Sequence, residues 1–516
     1  MANAISDSLL SQLSRRIADL TGMHFPQAKW RDLARAVETA AAELGFQNAE
    51  AVLKWLETST PTKEQIGILA SHLTVGETYF FRDQKSFEIL EQYILPALLE
   101  SRRASGQKRL RIWSAACASG EEPYSLAILL KRMLPDLQDW HITILATDIN
   151  QRALQKAMDG NYSEWSFRDA PPWLKERYFN QRGSNRYEIL KEIQQMVTFD
   201  YLNLTEDFYP ALLNQTNAMD VIFCRNVLIY FVADQAGSVI HKFYRALTDG
   251  GWLITSPMES AHLLNSEFKA VSFEGATFYQ KASGSPKPSQ AEEPFTTTST
   301  PFPPQTPAEM SESLWSYDSL SGLEPPRADE TTEVPAVQVE ESLSGEAEQD
   351  RYGAARSLYE QGRYAEVKAN LLNASSPDDC TVQELALLAR SAANEGNLAE
   401  ALEWCEQAIV ADKFDAGLRY LRATILQEQE RVDDAIASLK RALYLNQHFA
   451  LAHFALGGIA RRLGRTKEAA KYFHNALGLL RDYHADDPVP EAEGLTAAGL
   501  IQLIQTMSQT ATHRGG

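Results

Sequence analysis

Cysteine is scarce: four stand in 516 residues, at positions 117, 224, 380 and 405, and no two form a CxxC pair. That excludes a disulfide scaffold and a structural zinc site, and no metal is expected. Long apolar runs are missing as well. Nowhere do 18 uncharged apolar residues follow one another, and the opening MANAISDSLL has no basic start ahead of an apolar stretch. No membrane insertion is expected, and the expected compartment is the cytoplasm. Positive charge is outweighed, with 49 Lys and Arg against 68 Asp and Glu and a formal net charge of -19. Without a basic cluster this excludes nucleic acid as a partner.

What is present is the composition of a folded protein, 44% hydrophobic and 23% charged. A chain of this length outgrows one core, so two or three domains are expected. Residues 1–90 read as helices, with Leu9, Leu10, Leu13, Ile17 and Leu20 at three-to-four spacing. One helix start is marked by Thr60 as cap with Pro61 in the first turn, the helix running to His72. Over residues 91–283 short β-rich runs, RLRIWSA, HITILATD, AMDVIFC and GWLITS, alternate with helical stretches, the pattern of a sheet covered by helices. Residues 281–350 hold ten of the 22 prolines and fourteen acidic residues against three basic ones. This reads as a disordered linker, with Leu314, Trp315 and Tyr317 as a candidate docking motif.

From residue 351 to 483 a repeat of 34 residues sets in: Ala401, Ala435 and Ala469 share its frame, as do Ala408, Ala442 and Ala476, and Gly362, Gly396 and Gly464. That period means paired helices of the tetratricopeptide (TPR) kind, an all-α solenoid whose concave face takes an unknown protein or peptide. Glu430 stands where the other repeats have Gly, so a different turn geometry is expected there. Residues 484–516 read as a tail. A flexible linker of about 70 residues spans roughly 45 to 50 Å, so the repeats are not tied to one place and a role covering the active site stays open.

Chemistry is expected at the ends of the strands. The first β-run ends in Ser114-Ala115-Ala116-Cys117-Ala118-Ser119-Gly120 ahead of Glu121 and Glu122, a small-residue turn without G-x-G-x-x-G. Its acids repel phosphate and suit a cationic, phosphate-free ligand such as S-adenosylmethionine. Asp148, at the end of the second run, is either the cap of a helix near Gln151 or a ligand for ribose hydroxyls, and the preceding turn favours the ligand. Arg225 and Asn226 close the third run, either as ligand contacts or as capping and interdomain hydrogen bonds. Cys224 reads as a buried hydrophobe. In TVGETYFFRD the aromatic trio reads as core, and Arg82 either orients a substrate carboxylate or pairs with Asp83 or Glu88.

Taken in order, TVGETYFFRD, RIWSAACASGEEPYSLAI, LATDIN, FDYLNL and VIFCRNVLIYF resemble the CheR-type chemoreceptor methyltransferases over residues 1 to about 283. The resemblance implies a small N-terminal helical domain, an α/β class I methyltransferase (Rossmann-like) domain with an inserted β-subdomain, and methyl transfer from S-adenosylmethionine to glutamates on a chemoreceptor's cytoplasmic domain. Carried over by motif, Thr78, Arg82, Glu122, Asp148, Asn203, Leu204, Arg225 and Asn226 are expected to contact the cofactor, with Arg82 and Tyr230 nearest the chemistry. Gly76 departs from the family's Asn, so one side-chain contact is lost or is replaced by backbone or by Glu77. The β-subdomain is expected at 177–204, with a turn at 181–185 that is short for a peptide-tethered mode of receptor docking. Lys29, Arg31 and Arg35, mixed with Asp32 and Glu38, form at most a weak basic face.

Two other readings stand beside this one: a methyltransferase for another protein substrate, and a non-catalytic methyltransferase-fold/TPR scaffold. CRNV in place of a D/N-P-P-Y/F run speaks against amide or base nitrogen methylation, and intact Arg82, Glu122, Asp148 and Tyr230 speak against the scaffold.

Overall fold

The computed structural model describes residues 5–74, 76–212, 214–282, 341–373, 380–492 and 495–509. Four N-terminal helices, Asp7–Thr21, Trp30–Leu44, Ala49–Thr58 and Lys63–Leu73, share one core of Leu10, Leu13, Ile17, Leu33, Val37, Val52, Leu56 and Leu69. The fourth starts at Thr62, not at Thr60. Thr62 accepts from the Gln65 N–H while the Gln65 side chain accepts from the Thr62 N–H, a reciprocal capping box. Thr60 has Lys63 three residues on, which has no acceptor to return.

Among the described residues ten strands follow: β1 Arg109–Ala115, β2 His141–Asp148, β3 Asn161–Tyr162, β4 Phe179–Gln181, β5 Tyr187–Ile189, β6 Val197–Tyr201, β7 Met219–Phe223, β8 Leu247–Ile254, β9 Lys269–Phe273 and β10 Ala276–Gln280. Seven form one sheet in the order β6-β2-β1-β7-β8-β10-β9, parallel from β6 to β8 and closed by an antiparallel hairpin. β7 is buried along its whole length, which is why it reads as a near-continuous apolar run, and β1 is buried along all but its first residue although it carries Arg111 and Ser114. The chain leaves β1 towards β2 on one side and later returns to β7 on the other. A crevice therefore opens at the carboxyl ends of these strands.

The small subdomain is a three-stranded sheet, β3-β5-β4, and so begins earlier and ends earlier than 177–204. Its hairpin turns through 182–186, closed by the Arg182 N–H donating to the Arg186 carbonyl. The Val197–Tyr201 strand belongs instead to the main sheet, paired with Ile144–Asp148. A half-buried edge strand carries the same alternation in either sheet, so pattern alone does not assign it.

Beyond the linker come helix pairs Glu341–Glu360 with Tyr364–Asn373, Val382–Asn394 with Leu398–Ala411, Ala416–Glu428 with Val432–Leu445, and Ala450–Arg462 with Thr466–Leu480. The first of these begins ten residues inside the stretch read as linker; residues 283–340, including Leu314, Trp315 and Tyr317, lie outside the described residues. All six alanines of the two 34-residue series are buried where paired helices approach. The turns at Gly362, Gly396 and Gly464 have φ of 74°, 82° and 72°, and Glu430, against expectation, adopts the same left-handed geometry at 59°. Arg431 N–H donates to the Leu426 carbonyl just as Asn397 does to Ala392 and Arg465 to Ala460. The hydrogen-bonded turn sets the conformation, and the Glu side chain accepts a strain of about 1 to 2 kcal/mol. The residues read as a tail include a further helix, Ala497–Gln509, whose Leu500 and Ile504 cover the open end of the array.

The repeats do not range freely. The first helices Val382–Asn394, Ala416–Glu428 and Ala450–Arg462 are buried on more than one face, whereas the second helices that follow them bury a single stripe. The covering surface is the amino end of the sheet. Glu428 pairs with Arg109 and Arg111 at the start of β1, and Lys281 Nζ donates to the carbonyls of Leu247, which opens β8, and Gly362. Leu212 joins the core of Leu385, Leu418 and Leu421, and Phe208 packs on that of Tyr420 and Phe449. The array thus sits at the opposite edge of the sheet from the crevice and does not cover it.

Candidate functional site

The turn after β1 is built from residues small enough to bend sharply. Ala116, Ala118 and Gly120 have φ of 61°, 48° and 90°. At Gly120 a Cβ would lie 2.7 Å from that of Ala157, so only glycine fits. The two acids that follow diverge. Glu121 turns inward and accepts from the hydroxyls of Ser119 and Ser166, while Glu122 faces the crevice and accepts from Ser114 Oγ at 2.7 Å. Burial pushes the Glu122 carboxyl above the ordinary carboxylate range, against the pull of the Arg225 guanidinium 4.0 Å away.

Asp148, at the end of β2, accepts from the backbone N–H of Ala118 and of Asn150, each at 2.8 Å. It is not the helix cap; Asn150 is, accepting from the N–H groups of Arg152 and Ala153. Burial raises the Asp148 carboxyl as well, opposed by those two N–H groups. At the end of β6, Asn203 commits its amide to the Leu20 carbonyl and to Thr205, so Leu204 and the neighbouring main chain are what this loop offers the crevice.

Arg225, at the end of β7, is tied to the N-terminal segment. Its two terminal nitrogens donate to the Arg82 carbonyl and to Asp83, both at 2.8 Å. Neither Asp83 nor Glu88 pairs with Arg82, since Glu88 pairs with Lys85. Arg82 donates to the Glu77 carbonyl and lies 5.7 Å from the Tyr79 ring, which Arg168 covers from 3.9 Å. Phe80 and Phe81 are core as expected, whereas Tyr79 sits between two guanidiniums. Tyr230 ends a short turn whose carbonyl accepts from the His24 N–H, with Lys29 Nζ 5.4 Å from its ring.

All nine residues singled out from the sequence, Thr78, Arg82, Glu122, Asp148, Asn203, Leu204, Arg225, Asn226 and Tyr230, line one cavity of about 520 Å³ between the helical domain and the sheet. That volume suits a ligand of nucleoside size. Gly76 also lines it, with open space where a side chain would stand, and the Glu77 carboxylate pairs with Arg168 at 3.0 Å. Cys117 and Cys224 are buried, and burial drives both thiols well above the usual range, away from the thiolate a nucleophile needs. The sequence did not single out Met258 at the cavity wall or the buried carboxylate of Glu259 behind it. Both follow β8, where no residue pattern sets them apart from an ordinary helix start.

The family model described as CheR methyltransferase, SAM binding domain, matches residues 76–276, and a tetratricopeptide repeat model matches residues 420–483. A chemotaxis protein methyltransferase of Borreliella burgdorferi is 32% identical over 257 residues, which are 50% of this chain and 89% of that protein. Chemotaxis protein methyltransferase 2 of Vibrio cholerae is 37% identical over 218 residues, 42% of this chain and 74% of that protein. Chemotaxis protein methyltransferase 1 of Pseudomonas aeruginosa is 36% identical over 213 residues, 40% and 74% of the two chains.

Proposed function

This chain belongs to the CheR methyltransferase family of chemotaxis proteins, and from that premise we propose that it methylates glutamate side chains of a chemoreceptor's cytoplasmic domain, forming methyl esters. In this reading residues 1–90 and 91–283 make up the transferase, and the repeats of 351–483 are a protein-interaction module. Val410, Phe414 and Tyr444, exposed on and just after their second helices, are free for such contact.

The observation that carries the proposal is the pair of carboxylates, Glu122 and Asp148, on either side of a turn of small residues in one cavity. This donor set fits S-adenosylmethionine: its ammonium group and sulfonium are attracted where a pyrophosphate is repelled, and the bare turn admits a flat nucleoside. Glu122 and Arg225 are suited to the amino-acid end, Asp148 to the ribose hydroxyls, and Thr78, Asn203, Leu204 and Asn226 to the remaining wall. When bound, the cofactor supplies a methyl group on a positively charged sulfur.

The acceptor needs little help with its proton, because a glutamate side chain is already ionised at neutral pH. Arg82 is suited to hold that carboxylate through its planar fork, with Tyr230 in the wall of the same cavity. The residues contribute alignment and exclusion of water, and alignment alone lowers such a barrier by roughly 7 to 11 kcal/mol. The test is incubation of the full chain with radiolabelled S-adenosylmethionine and receptor cytoplasmic fragments. Label that leaves as methanol in mild base supports glutamate esters; label that withstands base overturns them.

A further inference from the structure

Glu259 is fully buried behind the cavity wall and takes no part in the chemistry above. Its Oε1 accepts from the backbone N–H of Val227 at 2.8 Å and of Leu228 at 2.9 Å. Its Oε2 accepts from the N–H of Asn226 at 3.1 Å and from both the N–H and the hydroxyl of Ser256 at 2.7 Å. One part of this is ordinary helix capping: Ser256 and Glu259 form a capping box at the start of a short helical turn. A capping box asks only for the bond to the Ser256 N–H. The three bonds to residues 226–228 reach across to the loop after β7, where the chain makes a turn that few side chains favour. Asn226 is left-handed, with φ of 60°, and Val227 has φ of −120° and ψ of −56°.

That loop carries Asn226, Val227 and Tyr230 into the cavity. A backbone in such conformations persists only where its surroundings impose it. A carboxylate accepting several N–H bonds in the interior is among the strongest of such constraints. We infer that Glu259 is a positioning residue of the cofactor site, holding the 226–228 backbone in the shape that forms one wall. The inference rests on the cofactor reading of this cavity.

The experiment is calorimetric titration of the full chain with S-adenosylhomocysteine, comparing wild type with Glu259→Gln, Glu259→Asp and Ser256→Ala, alongside thermal unfolding of each. An amide offers one accepting oxygen and opposes N–H with N–H at the other position, so Glu259→Gln is expected to lose at least tenfold in affinity. Asp retains the charge and reaches Ser256 in its own turn but falls short of the loop by a methylene, and is expected to show the same loss while unfolding near the wild-type midpoint. Ser256→Ala removes the hydroxyl donor to Oε2 but leaves the Ser256 N–H and the three bonds to residues 226–228, and is expected to bind within twofold of wild type. Both Glu259 variants binding within twofold of wild type overturns the inference, and so does failure of both to fold, which makes the carboxylate a support of the whole sheet. Absence of binding by the wild type instead overturns the cofactor reading itself.

Discussion

Glu428 and Arg111 form a buried ion pair 317 residues apart in the chain, joining a first helix of the repeats to the opening of β1. Arg109 shares the same carboxylate at 2.7 Å, and the Arg111 N–H donates to Asp220. Burial first, and the neighbouring Arg111 second, pull Arg109 below the usual arginine range, while Glu428 opposes them. Glu428→Ala leaves two guanidiniums in the interior without their shared partner. It is expected to destabilise the full chain by about 3 to 5 kcal/mol, read from denaturant unfolding. A loss below 1 kcal/mol would show the contact to be solvated.

The Gly120 turn brings a second expectation. Gly120→Ala adds a methyl 2.7 Å from the Ala157 Cβ at a φ of 90°. Left-handed strain of about 1 to 2 kcal/mol adds to that clash. The variant should melt earlier and bind S-adenosylhomocysteine more weakly, because the displaced turn carries the Ala118 N–H that orients Asp148. Unchanged affinity would separate the turn from the site.

Asp148→Ala should abolish micromolar-range binding of S-adenosylmethionine, measured by calorimetry on the full chain. The substitution removes both an acceptor for ribose hydroxyls and the link between the β1 and β2 turns. Retained binding would return Asp148 to a purely structural role.

Affinity for the cationic cofactor should fall as pH drops, and the fall should begin above the range in which exposed carboxylates titrate. Burial raises both Glu122 and Asp148, so their negative charge is lost at a higher pH than for exposed acids, which titrate near about 4. Glu122→Gln should flatten that dependence. A pH-independent affinity in the wild type would place neither carboxylate against the ligand.

Stability should have its own pH dependence through Glu395, beside the sheet. Burial, then Asp249 and Glu400, push its carboxyl up to about 7, with Lys368 opposing. The folded chain then holds a proton that the unfolded chain has released between 4.5 and about 7. Stability from this group is complete below that window and is lost as pH rises through it. Between pH 5.5 and 8 the wild-type melting midpoint should fall relative to that of Glu395→Gln. Parallel curves would contradict the shift.

Much of the site was legible before folding. The runs ending at Ala115 and Asp148 became β1 and β2 residue for residue, and the acids and small residues at their ends meet in the cavity. Less legible were features whose signal is duplicated. The Thr60-Pro61-Thr62 stretch offers two caps, and only the return bond from Gln65 selects Thr62. Asp148 and Asn150 both stand ahead of the same helix, and only Asn150 reaches its first N–H groups.

By itself the sequence determined whatever depends on short range: the strand runs, the strand-to-turn chemistry at Ser114–Gly120, and the 34-residue period. These follow from side-chain alternation, residue size and local hydrogen bonding, which a window of a few residues contains. Tertiary structure decided the rest: that Val197–Tyr201 joins the main sheet, that the repeats lie against its amino edge, and that Glu259 braces the loop at 226–228. Each of these joins elements far apart in the chain, and a buried carboxylate or an edge strand takes its partner from the neighbours that packing supplies rather than from its own local pattern.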